Sequence, residues 1–154
     1  MSQTITFRKG DVICRKGDLE NWMYEIQRGS VAVYINYRSD TERKLTELGA
    51  GAFIGELGLL RSIPRSATVI AAEDDTALMK LTAEACDAYF KENPDRNVAL
   101  VQQLADRLIQ LTKDYSEACL TICELKELTL DAPRLSQDLK RRIERFSEYQ
   151  MLRD

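Results

Sequence analysis

The residues of this chain best suited to chemistry lie between Phe53 and Val69, a segment reading FIGELGLLRSIPRSATV. Gly55, Glu56 and Leu57 make a turn that opens a very short helical run, and Arg65, Ser66 and Ala67 follow at the head of an apolar strand. A helix opening leaves several backbone N–H groups unpaired and pointing one way, and a glycine at its head lets a ligand come close to the backbone. Arg65 can close on an anion from the other side with a forked, charge-assisted contact, while Ser66 adds a hydroxyl donor. A phosphate fits this set. Glu56 makes it selective, because a carboxylate beside a phosphate site repels the ligand unless a hydroxyl-bearing group lies between them, and a ribose supplies that donor. A plainer reading stands beside it: Glu56 and Arg65 form an ordinary ion pair and Gly55 is only a turn.

Composition narrows the chemistry further. With 154 residues, 44% apolar and 31% charged, the chain suits one soluble globular domain. Lys plus Arg is 22 against 25 Asp plus Glu, a net charge of −3 that argues against a long polyanionic partner such as DNA. The absence of histidine removes imidazole acid/base catalysis, histidine-activated nucleophiles, His-ligated haem and Cys/His zinc sites. Cys14, Cys86, Cys119 and Cys123 show no CxxC spacing and read as reduced, buried small apolar residues. There is no signal-like N-terminal segment and no run near the ~20 apolar residues of a membrane span, so a cytoplasmic protein without a membrane partner is expected.

The elements that must position the segment fall into two classes, with the change near Leu81. Before it, short apolar stretches are punctuated by glycine; after it there is none. Val31, Val33, Ile35 and Tyr37 alternate with Ala32, Tyr34 and Asn36, which predicts a strand whose two faces differ. Further short strands are expected at 22–27, 44–48, 66–72 and 76–81, with turns at Arg28-Gly29-Ser30, Ser39-Asp40 and Glu73-Asp74-Asp75. Many short strands at close spacing indicate a jelly-roll sandwich or barrel. Arg8-Lys9-Gly10-Asp11 recurs as Arg15-Lys16-Gly17-Asp18. The echo reads as two tight turns flanking a short strand from Val12 to Arg15, with a basic ligand site as the alternative.

The second part is helical. Thr82 can cap a helix running to Lys91, and Asn93-Pro94-Asp95 breaks and restarts the chain. From there Val101, Leu104, Leu108, Leu111, Tyr115, Ala118, Ile122 and Leu125 keep an unbroken heptad seam. A helix from Asp95 to Leu128 would be ~50 Å long, too long for so small a domain to cover, so part of it is expected to meet a second copy. Its N-terminal portion is expected to pack on the barrel, and Gln103 and Gln110, off the seam, to face solvent or the rim. Beyond Pro133 a last amphipathic helix carries Leu139, Ile143 and Phe146 on one side and a basic cluster from Lys140 to Arg145, read as a solvated face.

Taken together, Phe7-x-x-Gly10-x-x-Ile13-x-x-x-Gly17-Asp18, Met23-Tyr24-x-Ile26-x-x-Gly29-x-Val31, Gly49-x-Gly51-x-Phe53-x-Gly55-Glu56-Leu57 and Pro64-Arg65-Ser66-Ala67 resemble the cyclic nucleotide-binding domains of bacterial catabolite activator proteins and of cyclic-nucleotide-dependent kinase regulatory subunits. The resemblance covers about residues 5–128. It implies an eight-stranded jelly roll followed by a long helix that covers the pocket and, in the bacterial activators, pairs two subunits. By the match, Glu56 corresponds to the residue binding the ribose 2′-hydroxyl, Arg65 to that binding the exocyclic phosphate oxygens, and Ser66 to a phosphate-binding hydroxyl; Gly55, Leu57 and Ala67 fall in the backbone cradle. Thr112 falls where the activators have a hydroxyl residue touching the adenine amino group, a role weighed against that of a helix-surface threonine. Leu111 departs from the pattern, standing where a second hydroxyl is usual.

The expected class is therefore α+β: a β jelly roll followed by a long C-terminal helix and a further short helix, with residues 1–128 forming the ligand-binding and dimerisation part and 129–154 an amphipathic helix. The expected function is a cyclic nucleotide sensor, for cAMP or else cGMP, that dimerises through the long helix and catalyses nothing, with no other cofactor and no DNA binding by this chain. Two alternatives stay open: a ligand-free scaffold of the same fold, and the sensor part of a transcription regulator lacking its DNA-binding domain.

Overall fold

The computed structural model describes residues 3–129, with side chains as far as Cys123. These form β1 (Gln3–Phe7), β2 (Val12–Cys14), β3 (Trp22–Arg28), β4 (Ser30–Ile35), β5 (Arg43–Gly49), β6 (Phe53–Ile54), α1 (Glu56–Arg61), β7 (Thr68–Ala71), β8 (Thr76–Thr82), α2 (Ala83–Glu92) and α3 (Pro94–Thr129). The strands build two four-stranded antiparallel sheets, ordered β1-β8-β3-β6 and β2-β7-β4-β5. The result is the expected α+β arrangement, a β sandwich followed by a long helix. The amphipathic helix expected within 129–154 lies outside the described residues.

Alternate residues of both sheets meet in one apolar layer. Tyr24, Ile26, Ile54 and Leu78 come from the first sheet, and Ile13, Cys14, Val31, Val33, Val69 and Ala71 from the second. On β3 the intervening Met23 and Glu25 are buried too, so this strand is covered on both faces. β4 corrects the sequence reading: Ser30 to Val33 are all buried, and the expected contrast between its faces is absent there. The strand ends two residues earlier than the alternation suggested, because Asn36 turns the chain with φ 51°. β1 and β6 went unread; β6 has two residues, too few to show a period.

The Arg-Lys-Gly-Asp echo becomes a repeated structural device. In each copy the Asp N–H bonds the Arg carbonyl, Asp11 to Arg8 at 3.0 Å and Asp18 to Arg15 at 3.2 Å, and the glycine takes a left-handed φ of 89° or 95°. Each turn then grips one residue of a neighbouring segment by both backbone groups. Gly10 N–H donates to Ala71 O at 2.8 Å while Ala71 N–H donates to Asp11 O at 2.9 Å. Gly17 N–H donates to Arg65 O at 2.8 Å while Arg65 N–H donates to Asp18 O at 2.9 Å. The two copies thus hold Ala71 at the end of β7 and Arg65 ahead of its start.

The chain divides into two compact units within α3, after Gln103. In the first unit the face that α3 turns inward carries Arg96, Leu100 and Gln103, while the seam residue Val101 is exposed, which corrects the expectation that the start of the stripe packs on the barrel. Gln103 is a second correction: it is half-buried and bonds the backbone of Phe53, whereas Gln110 is exposed as expected. Thr82 stands at the N-cap of α2 but its side chain makes no capping bond. The four cysteines form no disulfide; Cys14 and Cys119 are buried, and Cys86 and Cys123 are half-buried, more open than expected. Burial pushes the Cys14 thiol up to about 11, which keeps it protonated and unreactive.

Candidate functional site

Gly55 follows β6 directly and heads α1 with φ 81°, a left-handed conformation that strains any residue with a Cβ. A Cβ on Gly55 would lie 1.9 Å from Nη1 of Arg65, and one on Gly58 would lie 3.1 Å from the same atom. Two glycines therefore make the space in which the guanidinium sits. Nη1 donates to the Gly55 carbonyl at 2.6 Å, Nη2 to the Trp22 carbonyl at 2.5 Å, and Nε to the Glu20 carboxylate at 2.9 Å. The Glu20 carboxylate also lies 2.8 Å from Nη2, closing a charged pair in which Arg65 is buried. The expected meeting of Gly55 and Arg65 is present. Arg65 holds an ion pair with Glu20, a partner the sequence reading did not name.

Glu56 opens α1 and is only 2% exposed, an unusual degree of burial for a carboxylate. Leu57 is half-buried beside it, Ala67 is buried, and Ser66 is exposed. α1 has six residues, so its dipole is small. Thr112 belongs to the other unit of the chain, where its hydroxyl donates to the Leu108 carbonyl at 2.9 Å, the bonding of a helix-surface threonine. Three participants escaped the sequence reading: Glu20, Gly58 and the Trp22 carbonyl. Gly58 was legible as a second glycine three residues from Gly55, but Glu20 lies forty-five residues from Arg65 and only the tertiary fold joins them.

A second polar cluster lies on the other side of β3. Glu25 is buried, pairs with Arg96 of α3 at 2.6 Å and accepts a short hydrogen bond from the Tyr89 hydroxyl of α2. Burial and then the neighbouring Glu25 push the Tyr89 phenol up to about 12.

The described chemistry has a counterpart among known proteins. The family described as cyclic nucleotide-binding domain matches residues 4–93, more than half of the chain. A cyclic nucleotide-gated potassium channel of Rhizobium etli is 45% identical over 86 residues, 56% of this chain and 22% of that protein. A cAMP-dependent protein kinase regulatory subunit of Blastocladiella emersonii is 36% identical over 62 residues, 40% of this chain and 15% of that protein. The chain thus spans less than a quarter of the length of either. Among solved structures, the catabolite activator protein of Thermus thermophilus is 25% identical with a TM-score of 0.64, covering 97% of this chain and 80% of that one. The family model matches the strands and α1 that carry the left-handed Gly55, the buried Glu56 and the glycine-cradled Arg65, and the chain belongs to the cyclic nucleotide-binding domain family.

Proposed function

We propose that this chain is a cyclic nucleotide receptor in which Glu56 accepts the ribose hydroxyl, Arg65 and Ser66 hold the phosphate, and Gly55, Leu57 and Ala67 line the cradle. The observation that carries this reading is the placement of the Arg65 guanidinium against Gly55 and Gly58, in a segment that the family's model covers. Relatives named for cAMP and for cGMP both occur, and cAMP is the ligand proposed first. The chain works as a sensor that catalyses no reaction, acts in the cytoplasm and pairs with a second copy along α3. Among the described residues no helix is long and apolar enough to cross a membrane. A specific observation favours a second reading, a scaffold with an empty pocket: Arg65 is already engaged by Glu20, Gly55 and Trp22.

Calorimetry with cAMP and cGMP separates the two. A cyclic mononucleotide of roughly twenty-two heavy atoms at ~0.3 kcal/mol per atom gives about 7 kcal/mol, a Kd of micromolar order. Arg65→Ala is expected to cost about 2–4 kcal/mol of that, with Arg65→Lys recovering little, since a point charge cannot replace the fork. No binding of either nucleotide below about a millimolar by the parent protein would establish the scaffold reading.

A further inference from the structure

β6 is two residues long, is bonded on one side only, by β3, and stands at the edge of its sheet. The outer side of such a strand leaves backbone groups that need partners. For Phe53, itself buried, both partners are one side chain: Phe53 N–H donates to the amide oxygen of Gln103 at 2.8 Å, and the amide nitrogen of Gln103 donates to Phe53 O at 2.7 Å. A carboxamide accepts through its oxygen and donates through its nitrogen, as a peptide group does, so Gln103 does for β6 what another strand would do. Seven residues earlier, on the same face of α3, Arg96 donates to the Gly51 carbonyl, pairs with Glu25 and lies over the Phe53 ring at 5.2 Å. Two side chains of α3 thus hold the backbone from Gly51 to Phe53, and Gly55, whose carbonyl meets Arg65, lies two residues further on.

From this geometry we propose that Gln103, aided by Arg96, is a positioning residue for the anion cradle: it sets the path of β6 and thereby the Gly55 carbonyl that orients the Arg65 guanidinium. As a statement about ligand affinity this rests on the receptor reading; as a statement about Arg65 it stands apart from it. The coupling is reciprocal, so whatever moves Gly55 on binding also loads the Gln103 contact on the first turns of α3.

The test uses the full chain with Gln103→Leu, which removes both bonds, and Gln103→Glu, which keeps the size but cannot donate to Phe53 O; should the leucine variant fail to fold, the glutamate variant carries the test. Gln102→Leu, at an exposed position, is the control. Three quantities are read: cAMP affinity by calorimetry, hydrogen exchange of the Phe53 amide, and the NMR resonance of the Arg65 Nε–H, which loss of stability alone would leave in place. Both Gln103 variants are expected to weaken cAMP binding about five- to tenfold, within the usual range of coupling between sites, to speed Phe53 exchange at least about tenfold and to shift the Arg65 resonance, with the control doing none of these. Affinity within about twofold of the parent, or a loss of affinity with the Arg65 resonance unmoved, overturns the proposal. If the parent itself binds neither nucleotide, the receptor reading fails while the positioning proposal is decided by the Arg65 resonance alone: a shift sustains it, and none overturns it.

Discussion

Glu20 and Arg65 form an ion pair at 2.8 Å with the guanidinium sealed from solvent, so the group proposed to hold the ligand's phosphate already holds a carboxylate of its own chain. A phosphate entering the cradle must share or displace that partner. This places an internal anion in competition with the external one, and it makes Glu20 the first residue to vary.

Glu20→Gln removes the competing charge and keeps an acceptor for Nε. The expected result in calorimetry is a three- to tenfold gain in cAMP affinity, about 1 kcal/mol, with a stability loss of about the same size from the broken pair. A fall in affinity would show instead that Glu20 serves to hold Arg65 in its binding position.

Gly55→Ala adds a Cβ at φ 81° and 1.9 Å from Arg65 Nη1. The strained backbone and the displaced guanidinium together predict a loss of about 1–3 kcal/mol in urea unfolding and a marked loss of ligand affinity. Gly49→Ala is the control, since nothing lies within 4 Å of its Cβ position and its φ is not left-handed. Equal behaviour of the two variants would exclude the close approach as the reason for glycine at 55.

Along α3 the seam residues Leu108, Leu111 and Tyr115 are 65%, 58% and 41% exposed, an apolar stripe that a second copy would cover. Leu111→Glu is expected to run as a monomer in sedimentation velocity while Gln110→Glu stays dimeric, because only the first places an unpaired charge in the seam. A monomeric parent would rule out the seam as an interface.

The Tyr89 phenol, raised to about 12 in the folded chain, binds its proton more tightly there than in the unfolded chain, where it titrates near 10. Between those values the unfolded state has released a proton that the folded state keeps, so stability falls as pH rises from about 10 to 12. Denaturant midpoints across that window should decline more steeply for the parent than for Tyr89→Phe, and equal slopes would show that folding does not raise the phenol.

The residues of the cradle were legible because their chemistry is local in sequence: Gly55 and Glu56 are adjacent, Arg65 follows nine residues later, and glycine, carboxylate and guanidinium each announce a distinct task. The long helix was legible as well, since a heptad repeat after Asn93-Pro94 defines its start and period without reference to any partner, and α3 runs from Pro94 to Thr129. The two Arg-Lys-Gly-Asp turns were visible as turns, because a glycine that must adopt positive φ beside an aspartate is a local matter. What they grip was not, for the backbone bonds to Ala71 and Arg65 carry no side-chain signature. The same reason hid β6 and the role of Gln103: a two-residue strand has no period, and a glutamine on a helix reads as solvent-facing until the fold sets a strand edge beside it. Nothing local in the sequence marks Glu20 or Glu25, and their pairing with Arg65 and Arg96 was decided only by the tertiary fold, which brings each acid beside a distant guanidinium, a buried one for Glu20 and a partly exposed one for Glu25.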